Sequence, residues 1–177
     1  MNNNRLVAAF SVLTLLVLLP ASALAEKTEN PTYAYWAKFK PGSSVTLRAA
    51  RPGAAVGGGG ATQTATLIEV TAEQVTIETK TVIEVGGQKR ERPAKKTSIP
   101  AQWTAPSDDA KAKRGTEEVT VGGKAYQCKT TERTAGDDSS FVMKTWSSDQ
   151  VPGGTVRTDM TNNGQTLRTE LVEFTAK

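Results

Sequence analysis

Apolar and polar residues alternate along most of the chain with the period of a half-buried strand. In SSVTLRA, Val45 and Leu47 oppose Thr46 and Arg48. From Thr62 to Ser98 the pattern is almost continuous. ATQTATLIEV and EQVTIETKTVIEV are rich in Thr, Val and Ile, which suit a pleated surface. Val75, Ile77 and Ile83 share one face of the second run, and Thr76, Glu78, Lys80 and Glu84 share the other. One wet face predicts an antiparallel sheet, because parallel strands are buried on both sides. Gly86-Gly87 then gives a two-residue turn into QKRERPAKKTSI.

The C-terminal part repeats the pattern. EEVTVGGKAYQCKTTER predicts a hairpin on Gly122-Gly123, SSFVMKTWSSD and GTVRTDM predict further strands, and NNGQ carries an Asn163-Gly164 hairpin signal into TLRTELVEF. In the first of these single strands, Phe141, Met143 and Thr145 fall on one face and Val142, Lys144 and Trp146 on the other. About nine strands without a helical crossover predict an up-and-down antiparallel meander, and a sheet of that length curls. The expected fold is mainly β: a single curved antiparallel meander, half-barrel or barrel, with a short N-terminal helix.

That helix starts at Asn30-Pro31, an N-cap followed by a proline in the first turn, and stops at Pro41-Gly42. Tyr33, Trp36 and Phe39 or Lys40 recur at helical spacing, an aromatic stripe suited to plugging a core. Two stretches break the strand pattern. RPGAAVGGGGA, from Arg51 to Ala61, is a glycine-rich connection that matches neither a Walker A loop nor a dinucleotide fingerprint. PAQWTAPSDDAKAKRG predicts a long surface loop with one helical turn from Ser107 to Lys113. Trp103 sits within it, either a lid residue or packing over the end of the sheet.

The first residues change the picture of the whole. Arg5, an apolar run from Leu6 to Leu19, Pro20 and the small-residue ending Ala23-Leu24-Ala25 follow the order of a secretory signal peptide. The run is shorter than the roughly 20 apolar residues of a spanning helix. Cleavage after Ala25 is expected, leaving residues 26–177 as a single domain in the periplasm or outside the cell. The net charge of +4 falls by one with Arg5, and export makes nucleic acid an unsuitable partner.

Candidate chemistry is narrowed by what is missing. The chain has no histidine, which excludes histidine triads, histidine general bases and histidine metal ligands within it. Cys128 is the only cysteine, so no intramolecular disulfide forms. It alternates with Tyr126 and Thr130 as a buried small hydrophobe would. Asp108-Asp109 and Asp137-Asp138 lack calcium-loop spacing. No catalytic residue, cofactor or metal site is expected. Lys89, Arg90, Arg92, Lys95 and Lys96 form the densest basic patch, either a solvated edge strand that discourages pairing or a contact for an anionic envelope surface.

A tryptophan-bearing strand, a polar gap, the corner Val151-Pro152-Gly153-Gly154, a strand and an Asn-Gly hairpin into a last strand together resemble the C-terminal half of periplasmic lipoprotein-carrier-like proteins, the LolA and LolB-like group. The resemblance covers roughly Tyr126 to Phe174. It implies an antiparallel half-barrel wrapped around a helical lid, with an apolar cavity. The second, long sheet-covering helix of that group has no counterpart in this sequence.

Three function classes follow. The first is a non-enzymatic envelope protein holding a lipid, an acyl chain or an envelope protein. Its cavity face would draw on Val75, Ile77, Phe141, Met143, Leu167 and Leu171, with Trp36, Trp103 and Trp146 as lid or ligand contacts. The second is a structural envelope module without a pocket. The third is a secreted hydrolase using carboxylates, for which no pair of acids is singled out.

Overall fold

The computed structural model describes residues 27–50, 59–104, 111–135 and 141–177. The segment expected to be a signal peptide, most of the glycine-rich connection and both paired-aspartate clusters lie outside the described residues.

Nine strands form one antiparallel sheet: β2 (Ser44–Ala50), β3 (Gly60–Val70), β4 (Gln74–Val85), β5 (Gln88–Pro100), β7 (Lys113–Val121), β8 (Lys124–Ala135), β9 (Phe141–Ser147), β10 (Thr155–Asn162) and β11 (Gln165–Thr175). Two short strands, β1 (Lys27–Glu29) and β6 (Gln102–Thr104), pair separately. The only α-helix among the described residues is α1 (Pro31–Trp36). The fold is mainly β, as the alternation requires, and the sheet stays open.

The spatial order is β5-β4-β3-β2-β11-β10-β9-β8-β7. Two meanders thus run outward from the centre, where the first long strand pairs with the last: Leu47 lies opposite Leu171 and Val45 opposite Phe174. The turns are the expected ones. Gly86-Gly87, Gly122-Gly123 and Asn163-Gly164 all have positive φ, as type I′ hairpins need. β7 curls back to touch β11, and Lys124 at the β7–β8 tip lies over the rings of Tyr126 and Phe174, 5.1 and 5.4 Å from their centroids.

Local detail departs from expectation in two places. The helix ends at Trp36 instead of running to Pro41, with Ala37 as its C-cap. A six-residue helix has too few internal bonds to hold itself, so its stability comes from what it packs on. Asn30 caps it through its side chain, which accepts from the Thr32 N–H at 3.0 Å. The polar opening and the stretch around Trp103 are strands, Thr28 facing Trp103 across the β1–β6 ladder. β7 begins at Lys113, and most of the stretch from Ser107 to Lys113, where a helical turn is expected, lies outside the described residues.

The core is small and aromatic: Trp36, Leu67, Val75, Tyr126, Trp146, Val151, Val156 and Leu171 are all buried, with Tyr33 and Phe39 packed against them.

Candidate functional site

The Pro-Gly-Gly corner is the seat of α1. Val151 and Pro152 are buried. The loop closes on itself through the Ser148 N–H to the Gly154 carbonyl and the Gly154 N–H to the Val151 carbonyl, both at 2.8 Å. Gly153 and Gly154 have φ of 73° and 78°. A Cβ on Gly153 would stand 2.7 Å from Trp36 Cε2, and one on Gly154 would stand 2.5 Å from Tyr35 Cγ. Both aromatic rings therefore rest on bare backbone. Lys38 completes the seat by donating to Asp149, which also receives Lys129 at 3.4 Å. Those two ammonium groups, Lys38 foremost, hold the Asp149 carboxyl below its ordinary range.

Seated there, Trp36 roofs a cleft of about 200 Å³ whose lining includes Val45, Leu47, Ala65, Ile77 and Gly153. Residues opposite one another in an antiparallel pair project to the same side, so the register defines this face. One row is Val45, Ala65, Thr79 and Lys95; the next is Leu47, Gln63, Thr81 and Arg92; the next is Ala49, Ala61, Ile83 and Arg90. Across the centre the same face continues through Leu171 and Leu167 to Met160 and Met143. A second hollow, of about 580 Å³, lies among Phe141, Met160 and Leu167.

The residues singled out from sequence are thus divided. Val75, Ile77, Leu171, Leu167, Met143 and Phe141 share the face that Trp36 covers. Trp103 lies apart, half-buried in the β1–β6 pair. Trp146 points to the opposite face. It is 7% exposed, its indole N–H donates to Glu117 at 2.8 Å, and Lys144 lies 4.7 Å from its ring centroid. Strand alternation separates Trp146 from Met143, so grouping the two as contacts of one ligand does not hold. The basic patch is divided in the same way: Arg90, Arg92 and Lys95 belong to the face of the cleft, and Lys89 and Lys96 to the other, opposite Glu84 and Glu78.

The opposite face is a lattice of ion pairs. Arg168 grips Asp159 through two nitrogens at 2.8 and 2.7 Å, Arg157 holds Glu170, and Lys144 reaches Glu117 at 2.6 Å. Beneath them Cys128 is buried. Burial pushes its thiol pKa up and neighbouring Arg157 only partly offsets this, so a thiolate is disfavoured.

Glu117 has a measurable consequence. Its hydrogen bond from Lys144, then that from Trp146, lowers its carboxyl pKa. A depressed folded-state pKa contributes stability above the unfolded-state value, and that contribution is lost as pH falls through the folded value. Trp146 fluorescence should therefore show an acid transition with a midpoint below the ordinary glutamate value, absent in Glu117→Gln. A transition that persists in Glu117→Gln would assign it to another group.

The seat was visible in sequence only as a turn. Pro152-Gly153-Gly154 marks a reversal, but nothing local says that aromatic rings from over a hundred residues away would fill the space where side chains are missing. No protein-family model matches the chain, and no curated protein or solved structure matches it. The fold defines an open, all-antiparallel sheet with one docked helical turn.

Proposed function

We propose that this is an exported, non-enzymatic binding protein that holds an apolar or amphipathic ligand against the β2–β4 face, with its chain end under Trp36. The observation that carries this is the cleft roofed by Trp36 and continued along one face by Leu47, Ala49, Ala61 and Ile83. A whole small-molecule site encloses roughly 300–1,000 Å³, and the cleft holds about 200 Å³. It suits the end of a chain whose remainder lies along the open sheet. The small side chains of Ala49, Ala61 and Ala65 leave room there between larger neighbours. The missing histidine and the buried Cys128 weigh against nucleophilic chemistry. The resemblance to lipoprotein carriers agrees with an acyl ligand without specifying lipoprotein as the cargo.

The protein, recovered from the exported fraction without detergent, is tested by native mass spectrometry. The expected mass is that of a chain beginning at Glu26 plus a long-chain amphiphile released by solvent extraction. Added acyl chains should shift tryptophan emission to the blue, and Trp36→Phe should remove that shift. A protein that arrives empty and whose emission ignores acyl chains would turn the search to protein partners, and a mass that includes residues 1–25 would refute cleavage.

A further inference from the structure

The face that carries the cleft is also sorted by charge. On β2 to β5 it presents Val45, Leu47 and Ala49, then Ala61, Gln63, Ala65 and Leu67, then Ile77, Thr79, Thr81 and Ile83, and at its edge Arg90, Arg92 and Lys95. None of these is a carboxylate. Every glutamate that the register places on these strands, Glu69, Glu78, Glu84 and Glu91, projects to the other side, opposite Thr76, Lys96, Lys89 and Val82 respectively. The two cations of β5 on that other side stand opposite an acid, and the three on the cleft face stand opposite Ile83, Thr81 and Thr79. Arg90, Arg92 and Lys95 are exposed and form no ion pair among the described residues. Arg90 and Arg92, with Ile83, Val85, Gln88 and Glu91, line a hollow of about 550 Å³ at the β4–β5 tip, in which the two guanidinium groups outnumber the one carboxylate.

Edge-strand lysines that merely discourage pairing gain nothing from being sorted to one face. Three cations beside an apolar trough, none of them ion-paired among the described residues, complement a molecule that is apolar along its length and anionic at one end. We propose that the bound molecule is a long-chain carboxylate, its head held by Arg90 and Arg92 with Lys95 alongside, and its tail running over Ile83, Ala61 and Leu47 to the cleft beneath Trp36. From Ile83 to Ile77 is six residues of one strand, roughly 20 Å at a strand's rise per residue, the length of a long acyl chain. Guanidinium groups suit a carboxylate because their fork matches its two oxygens. This inference rests on the binding function proposed above and adds the polarity of the ligand and the place of its head.

The test is titration calorimetry with dodecanoate, dodecanol and dodecyltrimethylammonium, kept below their micellar concentrations, on the wild-type chain and on Arg90→Gln/Arg92→Gln. Both arginines are exposed, so the variant keeps its fold. The wild type is expected to prefer dodecanoate, with affinity falling as salt rises. The variant should lose on the order of tenfold or more for dodecanoate, as for a lost charged hydrogen bond, and keep its affinity for dodecanol. Equal binding of dodecanoate and dodecanol by the wild type would overturn the anionic head while leaving the apolar site standing. Binding of none of the three would remove both. Arginine-dependent binding to anionic vesicles, with no uptake of monomeric dodecanoate, would overturn the proposal in favour of a membrane surface.

Discussion

Gly153→Ala and Gly154→Ala are each expected to cost about 2–5 kcal/mol of stability, read as a fall in the urea midpoint. Two costs add. A side chain at positive φ costs about 1–2 kcal/mol, and both residues lie there. The new methyl also overlaps Trp36 or Tyr35 at contact distances that packed atoms do not reach, and overpacking costs about 1–3 kcal/mol. Gly123→Ala separates the two. Gly123 has a φ of 78°, and nothing lies within 4 Å of its virtual Cβ, so it should show the conformational cost alone, about 1–2 kcal/mol. Equal losses at Gly123 and Gly153 would mean that α1 yields freely and is not seated on the corner.

Trp36→Ala is expected to cost about 3–5 kcal/mol, the usual range for removing a buried large aromatic. Trp36 is 3% exposed and is the residue through which α1 meets both the corner and the β2–β4 face. A single turn and a half of helix is not stable on its own, so removing its anchor should release the whole element. Amide exchange should then quicken in α1 and over the face it covers, including Val45 and Leu67. Trp36→Phe should cost much less, because a ring still covers Gly153. A loss below about 1 kcal/mol in Trp36→Ala, with unchanged exchange at Val45, would show that the helix is held mainly by its polar ties: the bond from the Asn30 N–H to the Ala101 carbonyl and that from the Tyr33 hydroxyl to the Thr71 carbonyl.

Alternation along the chain determined the strands, because a half-buried sheet imposes a period of two on whichever residues form it. It also determined which residues share a face within each strand: Phe141 with Met143, and Lys144 with Trp146. Paired glycines and Asn163-Gly164 determined the hairpins, since few residues tolerate their backbone angles. The missing histidine and single cysteine bounded the chemistry before any fold was considered. Tertiary structure decided the rest. Strand order depends on pairing between β2 and β11, more than a hundred residues apart, and no local pattern encodes that choice. What covers Trp146 on its own face is a tertiary matter: Glu117, on another strand, accepts its indole hydrogen. The corner at Pro152 became the seat of Trp36 and Tyr35 because packing, not local preference, requires backbone without side chains there. The sorting of Arg90, Arg92 and Lys95 onto the cleft face likewise appears only once register aligns β5 with β4, because the same alternation in a strand slipped by one residue would have turned them away.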